Sequence, residues 1–187
     1  MITILALGDS LTAGYGLGPG SSFAAKLEQA LRDEGRNVRV VNGGVSGDTA
    51  SDGLRRLGPL LRHEPALVIV EFGANDIFMR LPVDEVRSSL ERIIDNSKAA
   101  GARVLLTGVL ALQDPDKNYS TRFHNLYQQI SQAKQVPLLP DFIPGIPGNP
   151  ALTLPDDLHP NEAGVDEIVT NILPMVRSML DKIIQDE

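Results

Sequence analysis

Five short apolar runs, at residues 2–7, 38–41, 67–72, 103–107 and 137–139, alternate along the chain with segments of helical spacing. Runs this short, bounded by turn residues, predict strands covered on both faces. The segment 23–34 places Phe23, Leu27, Ala30 and Leu31 on one helical face, and Gly35 suits its end. Residues 50–61 form a shorter helical segment. Residues 83–100 repeat the pattern through Val83, Val86, Leu90, Ile93 and Ile94, with Asp84 and Glu85 at the positive end and Gly101 at the stop. A weaker helical pattern covers 121–134. The last, 161–184, carries a core-facing stripe from Val165 to Ile183, which Pro174 is expected to kink or restart. Strand–helix alternation implies parallel strands joined by right-handed crossovers. The expected fold is α/β: a three-layer α/β/α sandwich around a doubly wound parallel sheet of about five strands. No repeat or low-complexity tract divides it, so residues 1–187 read as a single domain.

The formal net charge is −7, and no Lys/Arg cluster is present, so no nucleic-acid partner is expected. Cysteine is absent, which removes disulfides, thiolate nucleophiles and cysteine-based metal sites. No apolar stretch approaches the ~20 residues of a membrane span, so no stable membrane insertion is expected. The first strand begins at Ile2 and leaves no room for a signal peptide. The expectation is therefore a cytoplasmic protein, or a mature periplasmic or secreted form whose leader was removed.

Chemistry concentrates where strands end. In open α/β sheets ligands bind beyond the carboxyl ends of the strands, and Gly8-Asp9-Ser10-Leu11 follows the first run directly. Ser10 is thus a hydroxyl nucleophile candidate, although a serine there is also an ordinary N-cap. Asn42-Gly43-Gly44-Val45-Ser46-Gly47-Asp48-Thr49 follows the second run, where glycine lets a main-chain N–H approach a ligand. Gly73-Ala74-Asn75-Asp76 follows the third, and its side-chain amide is a candidate donor to an oxyanion. Late in the chain, Asp156-Asp157-Leu158-His159-Pro160 gives a histidine a carboxylate three residues before it, with the Pro/Gly-rich stretch 144–155 read as the loop that delivers it. A general-base histidine needs a carboxylate to fix its tautomer. Asp156 is the preferred partner because its spacing lets the chain fold back, and Asp157 competes. His63 and His124 lack such a setting.

Taken jointly, Gly8-Asp9-Ser10-Leu11, Ser46-Gly47-Asp48-Thr49, Gly73-Ala74-Asn75-Asp76 and Asp156-Asp157-Leu158-His159-Pro160-Asn161 resemble the blocks of the SGNH (GDSL) hydrolases, in particular their bacterial thioesterase/lysophospholipase/arylesterase branch. The resemblance spans essentially the whole chain. It implies the flavodoxin-like fold of that family, with Ser10 as nucleophile, His159 as base and Asp156 orienting it. It also implies an oxyanion hole made by the main-chain N–H groups of Ser10 and Gly47 and the side chain of Asn75. The substrate would be a small acyl ester or thioester, cleaved through an acyl-serine intermediate, with no cofactor and no metal; the apolar character of residues 77–81 adds the expectation of a short-to-medium acyl chain.

Other readings fit parts of the sequence. A carbohydrate O-deacetylase would keep the family and change the substrate. A flavin or nucleotide-binding module would use the glycine-rich stretch 13–20, which fits G-x-G-x-x-G in no frame. A catalytically dead binding domain would keep the blocks without the reaction. The G-x-S-x-G elbow of α/β-hydrolases is absent. Ile77, Phe78 and Met79, directly after the Asn75 block, are expected to line the acyl pocket; the competing expectation is that they plug the sheet edge.

Overall fold

The computed structural model describes residues 1–186. The described residues form a five-stranded, all-parallel sheet in the order β2-β1-β3-β4-β5. Its strands are β1 (Ile2–Gly8), β2 (Val38–Gly44), β3 (Leu67–Glu71), β4 (Arg103–Thr107) and β5 (Leu138–Leu139). The helices are α1 (Ser10–Ala13), α2 (Phe23–Asp33), α3 (Ala50–Leu61), α4 (Ala74–Phe78), α5 (Val83–Ala99), α6 (Lys117–Lys134) and α7 (Glu162–Asp186).

The continuous apolar runs follow from burial on both faces: Ile4, Leu5 and Leu7 of β1 and Leu67–Val70 of β3 have no exposed surface. On one side α2 packs on α7; on the other α3 packs on α5 and α5 on α6. The chain moves from β1 out to β2, then crosses back to β3 on the far side of β1. That reversal opens a crevice between the carboxyl ends of β1 and β3, the place where such sheets bind ligands.

Helix ends obey local chemistry. Ser22 caps α2, and Thr49 and Asp52 form a capping box at the start of α3. After α2, Gly35 takes φ +79° and its N–H reaches the Arg32 carbonyl, as expected of a glycine that stops a helix.

Beyond shifts of a single residue at strand and helix ends, the elements depart from expectation in β2, α6 and α7. β2 runs on to Gly44, because Gly43 and Gly44 pair in register with Leu7 and Gly8. α6 begins at Lys117 rather than 121, where the Asp116 carboxylate accepts the N–H groups of Asn118 and Tyr119. Finally, α7 continues through Pro174 without a restart. Pro174 and Thr170, whose carbonyl loses its helical partner, are both exposed, on the solvent side of the helix. Val165, Ile168, Ile172, Val176 and Leu180 are buried in the core. At roughly 1.5–3 kcal/mol each, their burial exceeds the ~3 kcal/mol that an interior proline costs a helix.

Candidate active site

β1 delivers Ser10. Asp9 caps α1, its carboxylate accepting the Leu11 N–H at 2.9 Å, and Ser10 becomes the first helical residue. The N–H groups of a first helical turn have no partner in the helix, so the Ser10 N–H is left free by α1 beside an Oγ that reaches His159. Gly8 must be glycine: a Cβ there would lie 2.2 Å from Thr12 Oγ1 and 2.5 Å from Glu71 Oε2.

The histidine arrives from the other end of the chain. Ser10 Oγ and His159 Nε2 are 2.9 Å apart. His159 Nδ1 lies 2.5 Å from Asp156 Oδ2, and the other Asp156 oxygen accepts the main-chain N–H groups of His159 and Leu158. Partial burial raises the Asp156 pKa, but the hydrogen bonds from the His159 ring and these two N–H groups outweigh it and hold the carboxyl below its ordinary range. Asp157, the competing carboxylate, takes a left-handed conformation (φ +58°) and is exposed. The loop is pinned by the Leu154 N–H on the His159 carbonyl and by Asn161, whose amide donates to the Ala151 and Thr153 carbonyls.

The remaining blocks meet here too. Gly47 has φ +89°, a conformation that favours glycine, and among the described residues its N–H has no partner. Asn75 Nδ2 donates to the Asp48 carbonyl at 2.8 Å and approaches Asp9 Oδ2 at 3.4 Å. Arg56 of α3 secures the Gly47–Asp48 turn. Its guanidinium donates to Asp48 Oδ2 (2.6 Å) and to the carbonyls of Gly43 (2.6 Å) and Gly8 (2.8 Å). Asp76, next to Asn75, accepts the Ala50 N–H that opens α3. Burial pushes the Asp76 carboxyl up to about 6, against the lowering effect of the Ala50 N–H.

A cavity of about 220 Å³ adjoins Ser10, Asn75 and His159. Its apolar wall is Leu11, Ala74, Phe78, Leu112, Ile143 and Leu158. Of the residues expected to line an acyl pocket, only Phe78 does. Ile77 is buried in the core, because the turn of α4 carries it inward, and Met79 is 63% exposed outside the lining. Neither His63 nor His124 lines this cavity: His63 meets Arg39, and His124 meets the Leu112 carbonyl. The glycines at 14 and 16 serve turns, with φ of +85° and +74°.

The sequence reading missed Tyr15, whose ring packs on His159 with centroids 4.4 Å apart and planes tilted by 39°. Nothing local signals that contact. It also missed Glu71, although a lone acid inside a buried apolar strand is itself a signal.

Residues 6–166 match the family described as GDSL-like Lipase/Acylhydrolase. The chain belongs to that family. It is 38% identical over 158 residues to an arylesterase of Vibrio mimicus, covering 84% of this chain and 79% of the relative. It is 34% identical over 160 residues to thioesterase 1/protease 1/lysophospholipase L1 of Escherichia coli K12, covering 85% and 76%. The solved structure of the psychrotrophic esterase EstA from Pseudoalteromonas sp., inhibited by monoethylphosphonate, superposes with a TM-score of 0.89 at 32% identity, covering 96% of this chain and 98% of that one. Family membership makes this chain a serine-type hydrolase of acyl esters.

Proposed function

We propose that this hydrolase cleaves short-to-medium-chain acyl esters, and thioesters of the same acyl groups, with Ser10 as nucleophile, His159 as general base and Asp156 orienting His159. The observation that carries the reading is the unbroken line from Ser10 Oγ through His159 (2.9 Å) to Asp156 (2.5 Å) at the mouth of an apolar cavity. His159 Nε2 takes the Ser10 proton as Oγ attacks the acyl carbonyl, and Asp156 stabilises the resulting imidazolium. The oxyanion is received by the Ser10 and Gly47 N–H groups and by Asn75 Nδ2. His159 then protonates the leaving alcohol or thiol, and water repeats the sequence on the acyl-enzyme. The domain is the whole chain, since β1 supplies the nucleophile and the loop before α7 the base.

The acyl preference follows from size and polarity. A volume of about 220 Å³ is below the ~300 Å³ at which pockets for drug-sized ligands begin, so it suits a short chain. Apart from the catalytic His159, the lining carries no basic side chain for a charged acyl group. A panel of esters and thioesters varying in acyl length tests the reading. Turnover that peaks at short-to-medium chains supports it. A preference for acetylated sugars over simple alkyl esters would replace it with carbohydrate deacetylation.

A further inference from the structure

Two carboxyl groups lie buried behind Ser10 and Asn75. Asp9 has no exposed surface and Glu71 is 1% exposed. They sit side by side because Glu71 pairs in register with Gly8, which has no side chain to separate them. Glu71 Oε2 accepts the Thr12 hydroxyl at 2.8 Å and the Asp9 N–H at 3.3 Å, while Glu71 Oε1 is buried without a hydrogen-bond partner. Asp9 accepts the Leu11 N–H and, at a long 3.4 Å, the Asn75 amide.

Among the described residues neither carboxyl pairs with a cation. Arg56 reaches the Gly8 carbonyl but is bound to Asp48 and Gly43 as well. The other groups facing the pair are Asp48, Asp76 with Asp52 beyond it, and the Tyr127 hydroxyl, which donates to the Phe72 carbonyl. None supplies positive charge. Two adjacent buried carboxyls in such a field cannot both be ionised.

We propose that Glu71 is a positioning residue of the hydrolysis: as the neutral member of a proton-sharing pair with Asp9, it limits the charge behind the oxyanion site, so that the second Asn75 N–H, which Asp9 meets only at 3.4 Å, stays available to the oxyanion. The proposal rests on the roles given above to Ser10 and Asn75. Asp9 accepts N–H groups from Leu11 and Asn75 while Glu71 Oε1 meets no donor, so the proton rests on Glu71. Burial, then the Asp9 charge, raise the Glu71 carboxyl well above its usual range, and burial raises Asp9 to about 7. At alkaline pH a second negative charge would hold the Asn75 N–H on Asp9 and repel the oxyanion, so kcat falls.

The test compares the wild-type enzyme with Glu71→Gln on a water-soluble short-chain aryl ester across neutral and alkaline pH. Gln keeps the acceptor for Thr12 and Asp9 and supplies a donor that cannot ionise. The expected result is a kcat within a few-fold of wild type at neutral pH and loss of the alkaline decline. Infrared spectra of the wild-type protein, which need no variant to fold, should show at mildly alkaline pH, above the ranges in which Asp9 (about 7) and Asp76 (about 6) lose their protons, a protonated-carboxyl stretch that Glu71→Gln lacks. An alkaline decline that persists in Glu71→Gln, a variant that loses melting temperature alone, or a wild type without the protonated band would each overturn the proposal. Fluorophosphonate labelling of the same samples separates the two ideas: a Ser10 adduct with an unchanged alkaline decline condemns only the role of Glu71, and an adduct elsewhere condemns the catalytic reading.

Discussion

Asn75 Nδ2 and the main-chain oxygen of Asp48 are joined by a 2.8 Å hydrogen bond that ties the loop after β3 to the loop after β2. One amide proton is thereby fixed, and the other, held only at 3.4 Å by Asp9, is available to an oxyanion. Asn75→Ala is expected to lower kcat by ~10²–10³, the usual cost of one oxyanion donor, with a smaller change in KM. Steady-state kinetics on a soluble ester decide it, and a change in KM alone would make Asn75 a substrate-binding group instead.

The two carboxylates before His159 should separate sharply. Asp156 alone contacts Nδ1. Asp156→Asn should cost on the order of 10⁴ in kcat through the wrong imidazole tautomer. Asp157→Asn, at an exposed position, should stay within about twofold of wild type. The reverse ranking would move the orienting role to Asp157.

The Tyr15 ring restrains His159 through its face, not its hydroxyl. Tyr15→Phe should keep kcat, and Tyr15→Ala should lower it roughly 2- to 10-fold, the range an aromatic pair supplies. Equal losses in both variants would assign the effect to the hydroxyl.

Much of this site could be read from residues alone, for reasons that can be named. The strand runs are legible because burial on both faces demands continuous apolar residues, and the Ser10, Gly47 and Asn75 blocks because each ends a strand. Spacing alone favours Asp156 over Asp157. Other features depend on the third dimension. Ile77 and Phe78 are neighbours in sequence, yet one is in the core and the other on the cavity wall, since α4 turns by about 100° per residue. Tyr15 meets a histidine delivered by a distant loop. Pro174 is harmless only because it lies on the wet side of α7.

That difference between neighbours yields a paired prediction. Phe78→Ala should flatten the dependence of kcat/KM on acyl length, in which each buried methylene contributes up to ~0.8 kcal/mol, about fourfold. Met79→Ala, outside the cavity lining, should leave the profile unchanged. An effect of Met79 equal to that of Phe78 would mean that the chain leaves the cavity along the α4 surface.

In the proposed mechanism Ser10 attacks the acyl carbonyl with His159 as its base, and covalent labelling reads that event directly. Incubation with a fluorophosphonate, followed by mass spectrometry of the digested protein, should show one adduct, on the peptide containing Ser10, and none in Ser10→Ala. The same variant should lose hydrolysis by about 10⁴-fold or more with an unchanged circular dichroism spectrum. An adduct on another residue, or wild-type turnover in folded Ser10→Ala, would contradict the account.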